Sequence, residues 1–512
     1  MEVVKHYDPN FSSDGGQHRG ALWENVSTTV PPCIEECMVL TKTKSQPGTY
    51  QFGQIGRRQV TADFSGGQMT SDGGLVLIAQ LDQHYRITQR LAQCFEDHRD
   101  IKRVQHSLSD LVAQRVYGLV QGYEDLNDHD CLRTDPMFGI AMGKLESQHP
   151  RCAALAGKST LNRLEQAKNP KDFNSQDRYL RVAVKPRAIE QLLIDLCFDL
   201  SGKAPKSIFI DLDVTDDPVH GQQEQAFFNG YYEHECYAPL LIFCGHHLLA
   251  AKLRPSNVDP AAGALEELQR IIPQIQQRWS KTQIIVRGDS AYARDEIMSW
   301  CEEHGVDYVL GLPSNERLLR MTCELEGKAQ AEFERCQTVE PPLRSTPWFR
   351  SLHYRTLDSW SQYRRVVCKL TYGINGAKRR FVVTSLPSCQ VIPSSLYTEY
   401  YCQRGDMENR IKEHQLDLFS DRTSAHAFDS NQLRLWFSSV AYTLMQALRQ
   451  HCLSQTELAT AQLGTIRTKL LKLGAQVRIS VRRVLIAISS ACPFQTVFAT
   501  AYSQLQALSN TS

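Results

Sequence analysis

The stretch SIFIDLDVTDD, residues 207–217, alternates apolar and polar side chains with the two-residue period of a β-strand. Ile208, Ile210 and Leu212 face one way, while Asp211 and Asp213 share the other face. Two carboxylates on one face repel each other unless a cation or a proton lies between them. The stretch therefore predicts a divalent-metal site, and a solvated strand end is the alternative.

Outward from this strand the pattern is that of an α/β protein. The runs YAPLLIFCG and HLLAAKLR predict two further strands, and an amphipathic helix follows them. The stretch TQIIVRGDSAYARDEI, residues 282–297, then ends an apolar strand with Arg287, Gly288 and Asp289. Ligands gather beyond the carboxyl ends of strands in such sheets, so Asp289 is a candidate site residue, and a helix cap is the alternative.

A third stretch, YCQRGDMENRIKEHQLDL, residues 401–418, combines helical spacing with many ionisable groups. Tyr401, Arg404, Glu408, Lys412 and Gln415 follow one another at steps of three, four, four and three, which predicts one helix face. A carboxylate with cations one turn away on each side is suited to a charged ligand. A solvated row of ion pairs is the alternative.

The remaining sequence divides by composition and periodicity into flanking parts. Gly, Ser, Thr and Pro dominate the start of the chain, helical periodicity follows, and short β-like and basic segments appear later. We predict these parts: 1–60, a flexible extension; 61–200, a mainly helical N-terminal domain expected to bind DNA; 201–335 and 388–450, the α/β core; 336–387, a basic β-rich insertion; 451–512, a basic helical C-terminal region.

Charge is segregated although the net charge is only +1. Between Arg344 and Pro387, within the insertion, nine basic residues stand against Asp358: Arg344, Arg350, Arg355, Arg364, Arg365, Lys369, Lys378, Arg379 and Arg380. Six against one glutamate fall in the tail: Arg467, Lys469, Lys472, Arg478, Arg482 and Arg483. Such clusters favour contact with a polyanion, and a basic ribbon that only keeps an exposed sheet soluble is the alternative.

Cysteine usage and hydropathy indicate a cytoplasmic protein. Sixteen cysteines are scattered without paired spacing, and only Cys33 and Cys37 lie close together, which predicts reduced thiols. No apolar run reaches the length of a membrane span, so no membrane partner is expected. The sequence Gly157-Lys158-Ser159 imitates a phosphate-binding loop, but Cys152 stands where that loop needs its first glycine.

The three acidic positions together resemble the arrangement in DDE transposases with a ribonuclease H-like core. IDLDVTD resembles the D-x-T strand around the family's first aspartate, RGDSAY its second, and YCQRGDMEN the signature of Tyr, two residues, Arg, three residues and Glu. With GYEDLNDHDCLRTDPMF, VHGQQE and TIRTKLLKLGA, the chain resembles the bacterial insertion-sequence family thirteen-eighty over about residues 60–490. The signature ends in Lys, and Gln415 stands in its place.

This resemblance implies an α/β fold with a ribonuclease H-like mixed sheet flanked by helices, a helical N-terminal domain and a β-rich insertion. It implies that Asp213, Asp289 and Glu408 are the catalytic residues and hold two Mg²⁺ (or Mn²⁺) ions. The D-x-T match favours Asp213 over its rival Asp211 as the first ligand.

The same resemblance assigns DNA-phosphate binding to Tyr401 and Arg404, with Lys412 as a candidate substitute for the missing Lys. It implies a transposase that binds terminal inverted repeats in double-stranded DNA, cleaves the element ends and joins them to target DNA. Such proteins act as homodimers or larger assemblies, here in the bacterial cytoplasm at the nucleoid. A nuclease without strand transfer and a non-catalytic DNA-binding derivative remain the alternatives.

Overall fold

The computed structural model describes residues 48–145, 153–174, 177–338 and 346–510. One compact unit ends at Ser65, and its described residues form an antiparallel pair, β1 (Tyr50–Ile55) and β2 (Arg58–Ala62). The rest of the predicted extension, including Cys33 and Cys37, lies outside the described residues. The second unit begins at Gly66 and contains all the elements below.

The first part of this unit is mainly helical. Apolar residues recur at three- and four-residue spacing, and their faces pack into one core with the long helix Phe428–Ala447. The helices are α1 Leu75–Tyr85, α2 Ile87–Gln93, α3 Leu108–Val120, α4 His129–Leu132, α5 Pro136–Ala141, α6 Lys158–Glu165 and α7 Pro186–Ser201. Short strands accompany them: β3 Gln68–Thr70, β4 Phe95–Asp97 and β5 Val182–Val184.

The strands after β5 are β6 Ser207–Val214, β7 Asp217–Pro218, β8 Phe227–Asn229, β9 His234–Tyr237, β10 Leu240–Cys244, β11 His247–Lys252, β12 Gln283–Gly288, β13 Asp307–Leu312, β14 Trp348–Tyr354, β15 Arg364–Gly373 and β16 Gly376–Thr384. Eight of them form a mixed sheet with the strand order β11-β10-β6-β12-β13-β16-β15-β14. Strand β12 is parallel to both β6 and β13, and the other pairs are antiparallel. The strands of the predicted insertion thus continue the central sheet.

Helices cover both faces of this sheet. One face packs against α8 (Ala264–Arg278), α9 (Asp295–Glu303), α10 (Glu316–Met321) and α11 (Cys323–Gln337). The other face packs against the irregular helical segment that includes α12 (Pro393–Ser395) and α13 (Gly405–Lys412), and against α14 (Phe428–Ala447). Although α14 is long and buried, no helix in the described ranges combines the length and apolar character needed to cross a bilayer.

The C-terminal region differs from the predicted helical tail. It contains α15 (Leu463–Ile466) and α16 (Gln495–Asn510), but an antiparallel hairpin of β17 (Ala475–Ser480) and β18 (Arg483–Ile488) lies between them. Strand β17 also pairs with β3 at the start of the unit. The alternation of apolar and basic residues in this stretch has the period of a strand, which explains why the helical prediction was wrong there.

A buried histidine in this fold gives a pH-dependent stability. His414 is fully buried, its Nε2 lies 3.2 Å from Ser439 Oγ on α14, and burial lowers its pKa to about 3. In the unfolded chain the same group protonates near pH 6.5. Between these values the unfolded state binds more protons, so the free energy of unfolding contributed by His414 falls as the pH drops below 6.5.

We therefore expect His414→Gln to lose less stability than the wild type between pH 7 and pH 5, by up to about 2 kcal/mol. Urea unfolding at both pH values measures this difference. His426→Gln is the control, because the His426 side chain is 77% exposed. Equal pH dependence in the wild type and His414→Gln would contradict the assignment.

Candidate active site

The register of β6 and β12 brings two predicted acidic residues to one edge of the sheet. These parallel strands pair Asp211 with Arg287. Continuing this register by two residues, just past the end of β12, would place Asp289 beside Asp213 on the same face, and the charge of Asp289 does act on Asp213. Asp289 follows β12 directly and its carboxylate accepts a hydrogen bond from the Ala291 N–H at 2.9 Å. Asp289 therefore also acts as a helix cap, the alternative given above, at the start of a single 3-10 turn.

Asp211, the alternative candidate for the first metal ligand, forms a buried ion pair. Arg287 Nε donates to Asp211 Oδ1 at 2.6 Å and Arg287 Nη2 donates to Asp211 Oδ2 at 2.7 Å. The guanidinium also lies 4.1 Å from the centre of the Phe209 ring and donates to the Tyr400 carbonyl at 2.8 Å. Both oxygens of Asp211 therefore have a structural partner.

No role was predicted for Arg287 from the sequence. An arginine inside the otherwise apolar strand QIIVRG was the available signal, because a buried guanidinium requires a carboxylate partner.

Asp213 stands in a different environment. Its Oδ2 accepts a hydrogen bond from Arg404 Nη1 at 2.7 Å, and both side chains are only about one-sixth exposed, at 16% and 17%. Burial raises the pKa of Asp213, the positive charge of Arg404 opposes that rise, and the negative charge of Asp289 adds to it. Asp213, Asp289 and Arg404 thus form one electrostatically coupled group.

Tyr401 and Arg404 come from a segment whose helical geometry changes at the site. The segment is a π-helix over Leu396–Tyr401, a 3-10 helix over Cys402–Arg404 and then α13. The Tyr401 hydroxyl lies over Gly311 of β13, where a Cβ would come within 2.7 Å of it and within 3.1 Å of the Asp289 carbonyl carbon. Glycine at this position therefore leaves the space that the Tyr401 hydroxyl occupies near the Asp289 backbone.

Glu408 and Lys412 follow on α13 and are exposed. Neither side chain has an ion pair or hydrogen bond with another described residue. Glu408 is not brought together with Asp213 and Asp289, and within the described ranges no three His, Cys, Asp or Glu side chains form a group that could hold a metal ion. The roles assigned to Glu408 and Lys412 stay predictions.

Gln415, which replaces the Lys of the signature, ties this segment to the end of β6. Its Nε2 donates to the Asp216 carbonyl at 2.9 Å and to Asp217 Oδ1 at 3.2 Å, and its Oε1 accepts from Thr215 Oγ1 at 3.2 Å. Asp217 is fully buried, and burial raises its pKa well above the ordinary value. Through these three hydrogen bonds Gln415 holds the chain that follows Asp213.

Comparisons with known proteins identify the family. The sequence profile described as Transposase DDE domain group 1 matches residues 52–510. The chain belongs to the DDE transposases. No curated protein matches this transposase by sequence. Among solved structures, the cryo-EM structure of a piggyBac transposase synaptic complex with hairpin DNA aligns at 10% identity and a TM-score of 0.37, over 86% of this chain and 81% of that chain.

The acidic pair of this transposase fits a divalent cation in charge and in donor type. Carboxylate oxygens are the ligands that Mg²⁺ and Mn²⁺ prefer. Burial raises the pKa of Asp213 and the negative charge of Asp289 adds to that rise, and a cation relieves repulsion of this kind. Arg404 balances part of this charge through its bond to Asp213 Oδ2.

The basic residues of the β-rich part divide into two groups. Several are bound internally: Arg364 to Asp295 and Glu302, Arg379 to Glu326, Arg350 to Glu324, and Arg365 to the carbonyls of Leu386 and Val391. Arg344 lies outside the described residues. In the described part of the chain, Arg355, Lys369, Lys378 and Arg380 have no carboxylate within ion-pair distance.

Three of these cations, which lack a carboxylate partner, share the face of the transposase that carries the acidic pair. Gly311 pairs with Val382, so Arg380, two residues away on β16, lies on the same face and beyond the last paired residue of β13. Lys369 pairs directly with Arg380, and Lys378 pairs with Thr371. Like charges directly opposite each other are unfavourable, so this face favours an anionic partner at the edge where Asp289 lies.

Proposed function

We propose that this transposase cleaves the ends of its DNA element and joins them to target DNA, using a divalent metal held by Asp213 and Asp289. The observation that carries the proposal is the adjacency of these two carboxylates at one sheet edge, with Arg404 bonded to Asp213. A bound cation would polarise the phosphodiester and stabilise the charge that develops on it. We propose Glu408 as the third ligand, and we propose that the site binds two Mg²⁺ or Mn²⁺ ions.

The chain's own residues would bind and orient the DNA. Arg404 can donate to a phosphate oxygen through the guanidinium nitrogens that do not contact Asp213. Tyr401, held over Gly311 beside Asp289, offers a hydroxyl at the same edge. Lys412 is proposed to bind phosphate further along α13. Gln415 keeps the strand end that carries Asp213 in place, because its three hydrogen bonds span residues 215–217.

The finer assignments belong to the same proposal. We infer that the chain is a bacterial member of insertion-sequence family thirteen-eighty and acts as a dimer or larger assembly on terminal inverted repeats. The mixed sheet, with an antiparallel pair on one side of β6 and parallel strands on the other, supports a ribonuclease H-like core over residues 201–335 and 388–450. Residues 61–200 are proposed as a DNA-binding part and 336–387 as a basic insertion.

The test is a plasmid that carries the element's flanking repeats, incubated with the protein and Mg²⁺ or Mn²⁺. Cleavage at the ends followed by joining to a second plasmid is the expected result. Cleavage without joining would favour a nuclease, and binding without cleavage would favour a non-catalytic derivative. Either outcome would reject the transposition step of the proposal.

The basic face gives a prediction for DNA affinity. Because each neutralised phosphate contributes about −0.9 to the slope of log affinity against log salt, Lys378→Ala and Arg380→Ala should each reduce that slope by about one. Arg350→Ala is the matched control, since Arg350 is a basic residue of the same sheet that is paired with Glu324. Fluorescence anisotropy with labelled duplex over a salt series measures the slopes. An unchanged slope in both test variants would remove this face from the DNA interface.

A further inference from the structure

A hairpin between β6 and β10 presents aromatic side chains to solvent. Phe227 is 42% exposed, Phe228 is 65% exposed and Tyr231 is 87% exposed, all within the sequence FFNGY. Single exposed aromatic residues are common on protein surfaces, but three within five residues form a patch that suggests a ligand. The hairpin pairs Phe227 with Cys236 and Asn229 with His234.

The tip of this hairpin is held firmly. The Asn229 side chain donates from Nδ2 to the Ser256 carbonyl at 2.8 Å, and its Oδ1 accepts from the Tyr231 N–H at 2.9 Å and the Tyr232 N–H at 3.3 Å. The buried Ser256 hydroxyl donates to the Phe227 carbonyl at 2.7 Å. Tyr231 is therefore exposed on an anchored turn, since Phe227 and Asn229 are bonded to Ser256 in the chain after β11 and the Tyr231 N–H is bonded to Asn229.

The same tip lies beside the acidic edge of the sheet. His234 Nε2 is 3.0 Å from Asp216 Oδ2, and Asp216 is three residues beyond Asp213. The ring centres of His234 and Tyr232 are 6.2 Å apart, and those of Tyr232 and Tyr231 are 5.0 Å apart in an edge-to-face arrangement. The pKa of Tyr232 is raised first by burial and then by the negative charges of Asp216 and Asp213. The exposed Tyr231 ring thus packs against a ring that lies within electrostatic range of Asp216 and Asp213.

We propose that Tyr231, supported by Tyr232, stacks on an unpaired nucleobase next to the phosphate bound at Asp213 and Asp289. The inference rests on the proposed function, since it names the part of the DNA that this site would hold. A duplex that is cut or strained at a phosphate frees neighbouring bases, and an exposed aromatic face binds such bases without sequence preference. The acidic edge excludes a second phosphate close by, which leaves the uncharged base as the favoured ligand for the tip.

The test compares two labelled DNA probes in the presence of Ca²⁺, which takes the same carboxylate ligands as Mg²⁺, under conditions in which a gel shows no cleavage: a fully paired duplex, and the same duplex with an unpaired single-stranded extension. The wild type should bind the extended probe more tightly. Tyr231→Ala should lose about tenfold in affinity for the extended probe and keep its affinity for the duplex. Tyr231→Trp should retain the preference, because an aromatic face remains. Tyr502→Ala is the control, an exposed tyrosine on α16.

Each outcome decides between the proposals. If the wild type binds neither probe, the proposed DNA-processing function fails. If it binds both equally, or if Tyr231→Ala keeps the preference for the extension, the stacking inference alone is overturned. A change of oligomeric state in Tyr231→Ala by light scattering, with no change in DNA preference, would assign the tip to a protein interface and also overturn it.

Discussion

Replacing either Asp213 or Asp289 with asparagine should reduce Mg²⁺-dependent DNA cleavage by about a thousandfold or more, while DNA binding persists. Asparagine has nearly the same shape as aspartate but lacks the negative charge that a divalent cation requires. A metal contributes several kcal/mol of charge stabilisation to phosphoryl transfer, and each 1.36 kcal/mol corresponds to a tenfold change in rate. Binding should not weaken, because the change removes negative charge near the DNA phosphate.

The measurement is cleavage of a plasmid that carries the flanking repeats, with duplex affinity determined in parallel. Glu408→Gln is tested beside Asp406→Asn, because both acidic side chains are exposed and both lie in the first turn of α13. We expect Glu408→Gln to lose cleavage and Asp406→Asn to retain it. Full cleavage by Asp213→Asn or Asp289→Asn would reject the acidic pair as the metal site. If instead Asp406→Asn loses cleavage and Glu408→Gln retains it, then Asp406 is the third metal ligand.

The family and part of the site could be predicted from the sequence because they depend on local patterns. The two-residue period of SIFIDLDVTDD places Asp211 and Asp213 on one face, and the structure has them on one face of β6. The position of Asp289 beyond an apolar strand is equally local. The DDE transposase resemblance is confirmed by the family match over residues 52–510.

Partnerships between distant residues could not be predicted, because they depend on strand register. Arg287 and Asp211 are 76 residues apart, and only the parallel pairing of β6 and β12 brings them together. The same limit applies to the basic segment. Its composition predicted a polyanion-binding surface as a whole. In the structure, carboxylates on α9 and α11 bind Arg364 and Arg379, whereas Lys369, Lys378 and Arg380 have no carboxylate partner.

The helix geometry at the site could not be predicted from the local sequence either. Regular steps of three and four residues predicted one continuous α-helix face from Tyr401 to Gln415. The structure instead changes from π-helix to 3-10 helix before α13 begins, and returns to π-helix over Glu413–Asp417. Packing of Tyr397 and Tyr401 against the sheet accompanies this change, which places Arg404 at Asp213 and leaves Glu408 in solvent.

Asparagine substitutions at Asp211 and at Asp213 should differ strongly in their effect on the stability of the protein. We expect Asp211→Asn to lower the free energy of unfolding by about 3–5 kcal/mol, because removing one partner of a buried ion pair leaves the other charge uncompensated. Asp211 is 3% exposed and Arg287 is 5% exposed, so water cannot replace the lost partner. Asp213→Asn is the matched control, since its carboxylate lies two residues along the same strand and its ion pair with Arg404 is partly exposed.

Chemical denaturation of the two variants measures this difference, and a double variant tests its cause. Asp211→Asn combined with Arg287→Met removes both charges, so it should recover part of the stability that Asp211→Asn loses. Arg287 also contacts Phe209 and the Tyr400 carbonyl, so full recovery is not expected. If Asp211→Asn unfolds no earlier than Asp213→Asn and instead abolishes cleavage, then Asp211 is the first metal ligand, and the pair with Arg287 must open when metal binds.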